Sequence, residues 1–196
     1  YIDFTAPEAV LDNVEAAAGH GLDCIIGTTG WYEAEDQARE LAAAQDVRIL
    51  YSPNFSTGIY ALFGALEYLA AVLGDQGFDA SIVEKHHTGK TDAPSGTAHE
   101  MAQILLEGMQ HKDEVVEARE GAHQSGELDI ASVRVGDEPG EHEVTFTAPG
   151  HSEKLVLRHQ SSGQAVFAEG VLRAVDWLAT TDIGPGLYTF REDVLE

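Results

Sequence analysis

Over residues 1–51, short apolar runs alternate with stretches of helical periodicity. Residues 1–4, 23–27 and 47–51 read as strands. Between the first two, Val10, Leu11, Val14, Ala17 and Ala18 fall on one helical face. Thr5 as N-cap, Pro7 in the first turn and Glu8 closing a capping box predict where that helix starts. Gly19 or Gly21 ends it. An Ala-rich helix is predicted over 33–44. Strands spaced by such helices predict parallel crossovers, hence a doubly wound sheet.

A longer helix follows over 57–73, with Ile59, Leu62, Phe63, Leu66, Leu69 and Leu73 inward. A strand is expected at 80–84, a polar loop at 86–93 and a helix at 95–109. The texture then changes. Segments near 115–119, 128–136, 142–148 and 154–160 alternate apolar and polar residues, as strands with one covered face do. Gly136-Asp137-Glu138-Pro139-Gly140 and Pro149-Gly150 punctuate them as turns. A last helix, 164–179, carries Val166, Val171, Leu172, Val175 and Leu178. The expected class is α/β: a Rossmann-like parallel sheet, then an α+β part with a mostly antiparallel, mixed sheet.

Composition narrows the partners. Of 196 residues, 34 are acidic and 11 basic, a formal charge of -23. Such a surface repels nucleic acid and anionic lipid, so neither is expected as a partner. The carboxylates are spread along the chain, and Lys85, Lys90, Lys112 and Lys154 are the only lysines. Dispersed acid with scarce lysine suits a protein kept in solution in concentrated salt. A single cysteine, Cys24, fits a reducing cytoplasm rather than a disulfide scaffold. No uninterrupted apolar run of membrane-spanning length occurs.

Two of those lysines lie within the six residues Lys85-His86-His87-Thr88-Gly89-Lys90. A cationic island on so acidic a chain is a candidate anion site. The Pro94-Ser95-Gly96-Thr97 that follows opens a helix, whose first amides have no intrahelical partner and can bind a carboxylate. Gly96 allows close approach to the backbone. A histidine can transfer a proton near neutral pH, and Lys90 can serve as acid or clamp. The plain alternative is a solvated loop with an ordinary cap. No metal is expected, because adjacent His86 and His87 diverge and no H-x-x-x-H or second cysteine accompanies them.

The block from Glu84 to Ala98 matches, without a gap, the form E-x-H-H-x-x-K-x-D-A-P-S-G-T-A. It resembles the signature of the dihydrodipicolinate reductase family of lysine and diaminopimelate biosynthesis. The resemblance extends to Asp3-Phe4-Thr5-x-Pro7, Ile26-Gly27-Thr28-Thr29-Gly30, Pro53-Asn54-Phe55-Ser56, Arg134-x-Gly136, Pro139-Gly140-Glu141-His142 and Gly186-Leu187-Tyr188. It implies a hydride transfer from NADPH or NADH to a cyclic, unsaturated dicarboxylate, followed by protonation. It implies His86 as proton donor and acceptor, Lys90 as second proton donor, and His87, Gly96 and Thr97 as substrate contacts. Gly27, Thr28 and Thr29, with Ser52, Pro53, Asn54 and Phe55, resemble loops at the nicotinamide end of the cofactor. Arg134 is balanced between a sheet-surface charge and a substrate role, and His142 and His159 read as plain strand residues.

The resemblance also implies a cytoplasmic homotetramer assembled through the second sheet. The expected division is a partial dinucleotide-binding domain at 1–56, a substrate-binding and oligomerisation domain at 57–181, and a segment at 182–196 that returns to the first. No G-x-G-x-x-G occurs, and the chain opens on a strand without an initiator methionine. That reads as a fragment without the first nucleotide-binding unit. The alternative function is therefore a catalytically incomplete substrate-binding or scaffold piece of that reductase.

Overall fold

The computed structural model describes residues 1–195; Glu196, the last residue of the expected return segment, lies outside them. Two compact units form, one from Tyr1–Thr57 together with the segment from Ala165 onward, the other from Gly58–Gln164. The last helix therefore groups with the first unit, not with the second as the sequence pattern suggests. Its small residue Gly170 lets it lie directly on the backbone of Phe55 in the first unit. A Cβ at Gly170 would fall 1.7 Å from the Phe55 carbonyl oxygen.

The first unit holds β1 (Ile2–Asp3), α1 (Val10–Ala18), β2 (Cys24–Ile26), α2 (Glu35–Gln45) and β3 (Arg48–Tyr51). Its sheet runs β1-β2-β3 and then the C-terminal strand Gly186–Thr189, with every pairing parallel. Val10, Val14, Cys24, Ile26, Trp31, Ala38 and Ile49 are buried as its core. Burial pushes the Cys24 thiol up to about 11, so it stays protonated packing material. The expected capping box does not form. Residues Pro7–Ala9 make a 3-10 turn capped at Ala6 without a side chain, and the Thr5 hydroxyl instead donates to Asp3 and accepts from the Asn13 amide.

The second unit holds α3 (Thr57–Gly74), β4 (Asp79–His86), α4 (Gly96–Gly108), β5 (Glu114–Val116), β6 (Glu127–Arg134), β7 (Glu141–Thr147) and β8 (Lys154–Gln160). Two elements complete the chain in the first unit: α5 (Ala165–Thr180) and β9 (Gly186–Thr189). The second sheet is ordered β5-β6-β4-β7-β8. It is mixed, and its pairings divide evenly: β5 with β6 and β6 with β4 are parallel, β4 with β7 and β7 with β8 antiparallel. Helices α3 and α4 supply Leu66, Met101 and Leu105 to a core shared with Ile82, Leu128, Val144 and Phe146.

Helix α3 is long and apolar enough to cross a membrane by length and composition, which an uninterrupted-run criterion misses. Here Ile59, Leu62, Phe63, Leu66 and Ala70 are spent on the core of the unit. Helices α3 and α4 approach closely where Gly108 meets Ala70, since a Cβ on Gly108 would lie 2.6 Å from the Ala70 methyl.

Candidate active site

Strand β4 alternates burial residue by residue, so Glu84 and His86 share its covered face. Glu84 is fully buried and His86 nearly so. Glu84 Oε2 lies 2.9 Å from His86 Nδ1, at ion-pair distance but short of an aligned hydrogen bond. Arg134, from the neighbouring strand β6, donates from Nη2 to Glu84 Oε1 at 2.8 Å and to the Asp92 carbonyl at 2.5 Å. The register places Arg134 opposite His86 and His142 opposite Glu84. The His86 and His142 rings meet edge to face with centroids 5.1 Å apart. Ser95 caps α4 by accepting from the Ala98 amide at 3.2 Å, and its hydroxyl also bonds His142 Nε2 at 3.1 Å.

Charge follows from this packing. Burial tends to raise the Glu84 carboxyl, but the bond from Arg134 and the nearby Ser95 and Ser132 hydroxyls, with His86 beside it, outweigh that and hold it below the ordinary range. Burial lowers His86; Glu84 pulls it back up, while Lys90 and Arg134 push it further down. His142 is pushed down to about 4, first by burial and then by His86. Lys90 Nζ pairs with Asp92 Oδ2 at 2.8 Å at the rim. Arg134 Nε, His142 Nδ1 and His159 Nδ1 are buried and carry no hydrogen-bond partner. Such groups are costly unless something satisfies them.

The structure thus brings His86 and Lys90 together, with the start of α4 beside them. The amides of Gly96 and Thr97 precede the Ala98 amide that Ser95 takes, so they remain free of intrahelical acceptors. Open space surrounds the Cα of Gly96, as a ligand-facing amide needs. His87 is exposed on the turn closed by the Lys90 amide and the His87 carbonyl, at 3.1 Å.

Pattern reading missed Glu84, Ser95 and His142 as members of this site. The signal for Glu84 was its two-residue spacing from His86 on a strand. For His142 only the strand register reveals it. Glu84, His86 and His142 offer donor atoms within 4.8 Å of one another. Yet Arg134 already occupies one oxygen of Glu84, and Lys90 adds positive charge, which opposes a cation there.

In the first unit, the register aligns Asp3 with Ile26 and Ile26 with Tyr51. The Gly27 amide donates to the Asp3 carbonyl and the Ser52 amide to that of Ile26, so the turns after β1, β2 and β3 lie side by side. Ligands bind at such carboxyl ends in parallel sheets, and this row fits a nucleotide cofactor. Thr29 and Pro53 are exposed there, Gly27 and Asn54 half-buried. Thr28, Ser52 and Phe55 are buried and shape the turns. Thr28 donates to Asp3 at 2.6 Å, Ser52 bonds the Asn54 carbonyl, and Phe55 packs on Phe190 with centroids 5.1 Å apart. A Cβ at Gly27 would lie 2.1 Å from the exposed Phe4 ring, which would have to swing aside to admit it.

Known proteins agree with both halves. The family models for the dihydrodipicolinate reductase N-terminus and C-terminus match residues 1–55 and 58–195. The 4-hydroxy-tetrahydrodipicolinate reductase of Syntrophotalea carbinolica is 40% identical over 97% of this chain and 71% of its own. That of Archaeoglobus fulgidus is 39% identical over 100% of this chain and 75% of its own. A solved dipicolinate-bound dihydrodipicolinate reductase from Paenisporosarcina sp. TG-14 superposes with a TM-score of 0.72 at 28% identity, over 96% of this chain and 70% of that one. With both its sheets and its signature loop accounted for in this way, the chain belongs to the dihydrodipicolinate reductase family.

Proposed function

We propose that this protein carries out the NAD(P)H-dependent reduction of 4-hydroxy-tetrahydrodipicolinate, or its dehydrated form, in lysine and diaminopimelate biosynthesis. One observation carries the reading. On a chain of charge -23, the cations Lys90 and Arg134, three histidines and the open end of α4 gather around one buried cluster. A small dicarboxylate matches that cluster in charge, and the solved relative is described with dipicolinate bound.

The amides of Gly96 and Thr97 take one carboxylate, with His87 at the rim and Lys90 supplying charge. When bound along the turns at Gly27–Thr29 and Ser52–Phe55, the reduced nicotinamide supplies the hydride. His86 then delivers the proton, and Lys90 serves as the second donor. His86 is short of protons in the free protein because of burial, but the negative charge of the substrate raises its proton affinity. Acid and substrate thus become matched only in the complex.

The same reading divides the chain by role: cofactor binding in the first unit, substrate binding and assembly in the second. The sheet face turned from α3 and α4 exposes Val133 and Val156, at strand positions alternating with covered ones. That face suits assembly of a homotetramer, and a cytoplasmic site of action fits the biosynthetic role.

The test is NAD(P)H oxidation with freshly generated substrate from a coupled synthase. His86→Ala and Lys90→Ala each lower kcat by about 10²-fold or more while the unfolding midpoint stays in place. Unchanged kcat in both variants overturns the roles given to them. Tight dipicolinate binding with no turnover in the unmodified protein supports the binding-piece alternative instead.

A further inference from the structure

We propose that Glu84 is a positioning residue: it holds His86 with Nδ1 turned inward and Nε2 presented to the substrate. This rests on the reading of His86 as the proton-transfer group. The geometry begins with β4, whose pleat sends the side chains of Glu84 and His86 to the same covered face. Glu84 Oε2 stands 2.9 Å from His86 Nδ1, while Oε1 is pinned by Arg134 Nη2 at 2.8 Å. The Ser95 and Ser132 hydroxyls border the same carboxylate. So held, it cannot swing toward solvent.

An ionised carboxylate only accepts, so the nitrogen beside it keeps its proton. The neutral ring then has its lone pair on Nε2, and in the imidazolium the transferable proton sits there. Nε2 lies beside Gly140, where a Cβ would begin 3.4 Å away, so that side of the ring is left clear. Nδ1 and Oε2 are at contact distance but not aligned, and catalytic contacts of this kind tighten in the reacting complex.

The other charged groups facing the ring are Lys90 and Asp92 from the loop, Arg134 from β6 and His142 from β7, with His159 of β8 next to His142. Lys90 and Arg134 oppose the imidazolium. Glu84 is the buried group that supports it, assisted by the exposed Asp92. Without Glu84 the ring would be both misoriented and harder to protonate. A carboxylate that served only as the counter-ion of Arg134 would affect folding and leave the titration of His86 untouched.

The experiment is nitrogen NMR of the histidine rings in the full chain, beside steady-state turnover across pH. In the unmodified protein the neutral His86 ring is expected as the Nδ1–H tautomer. In Glu84→Gln, which keeps the shape and an acceptor for Arg134, His86 titrates at lower pH. A general acid must be protonated, so the alkaline limb of kcat moves to lower pH as well. Turnover falls on the order of 10²-fold in kcat with little change in KM. Glu84→Asp keeps the charge at shorter reach, so its His86 titration stays near that of the unmodified protein while kcat is reduced.

An Nε2–H tautomer in the unmodified protein overturns the proposal, and that measurement needs no variant to fold. So does a Glu84→Gln protein whose titration and pH limb are unmoved. An Nδ1–H ring in a protein that reduces no dicarboxylate supports the pairing and overturns the reaction assigned above.

Discussion

Asp3 in the first unit and Glu84 in the second are both carboxylates with no exposed surface, each near the carboxyl end of a parallel-paired strand. Burial works against ionisation in both, and hydrogen bonds reverse it in both. Their partners differ. Asp3 is surrounded by neutral donors: the Thr5 amide and hydroxyl at 3.1 and 2.9 Å, the Thr28 hydroxyl at 2.6 Å, the Asn13 amide at 3.0 Å and the Tyr1 hydroxyl at 2.9 Å. Glu84 is met by a guanidinium and an imidazole, and the nitrogens of Arg134, His142 and His159 around it are left over. A saturated ring of neutral bonds fixes two turns relative to each other. An unsaturated, charged one retains capacity for a ligand and for a proton. The first suits a scaffold for the proposed cofactor loop, the second the proposed chemistry.

Acid should separate the two regions most. His142 titrates near 6.5 in an unfolded chain and is held down to about 4 in the fold, by burial first and then by His86. Between those values the unfolded state binds a proton that the folded state refuses, so stability falls as pH drops through that window. For this one group the loss is on the order of 3 kcal/mol by pH 4. His86 and His159 are lowered too and add with the same sign. Asp3 and Asp23 behave oppositely. Their folded values lie below the ordinary 3.8, so their contribution is complete above that pH and fades only as pH falls beneath it. Amide hydrogen exchange, corrected for intrinsic rates, should show β4 and β7 losing protection between pH 6.5 and 4 while β2 and β3 hold. Loss in step across both sheets would break the contrast.

Asp3→Asn sharpens it from the other side. Oδ1 can still accept from Thr5 and Thr28, but the new amide at the Oδ2 position faces the Asn13 amide, donor against donor. Asn13 keeps the Thr5 hydroxyl but loses this acceptor, and bonds to a carboxylate become weaker neutral ones, at a cost of about 1–2 kcal/mol. Chemical denaturation with a probe in the first unit should register that loss. Dipicolinate binding in the second unit should be unaltered, and weakened binding there would show that the two networks are not separable.

Much of this was legible beforehand for local reasons. The apolar periods of α1, α3 and α5 and the alternation in β6, β7 and β8 are written residue by residue, and observed elements start and stop within a few positions of the expected ones. The signature around His86 and Lys90 is contiguous, so it needs no tertiary information to read. What escaped depends on contacts between distant residues. Thr5 looks like a helix cap until Asp3 and Asn13 engage its hydroxyl as donor and acceptor. His142 looks like a strand residue until the register sets it opposite Glu84. The last helix follows the second sheet in sequence, yet Gly170 docks it on the backbone of Phe55, and only the packing reveals that assignment.

Gly140→Ala tests how closely the charged region is fitted, and its effect is the smallest. Gly140 has φ +154, and a Cβ there would lie 3.3 Å from Ser161 Oγ and 3.4 Å from His86 Nε2. The serine can rotate; the imidazole cannot, because Glu84 and His142 border its other edges. The unusual backbone angle adds strain, so stability drops by about 1 kcal/mol. The methyl also narrows the approach to Nε2, the atom assigned to proton transfer. A several-fold fall in kcat is therefore expected, with the His86 titration hardly moved since no charge has changed. An equal fall from an alanine at Gly136, another turn glycine with positive φ but open space around it, would trace the loss to the loop rather than to the imidazole.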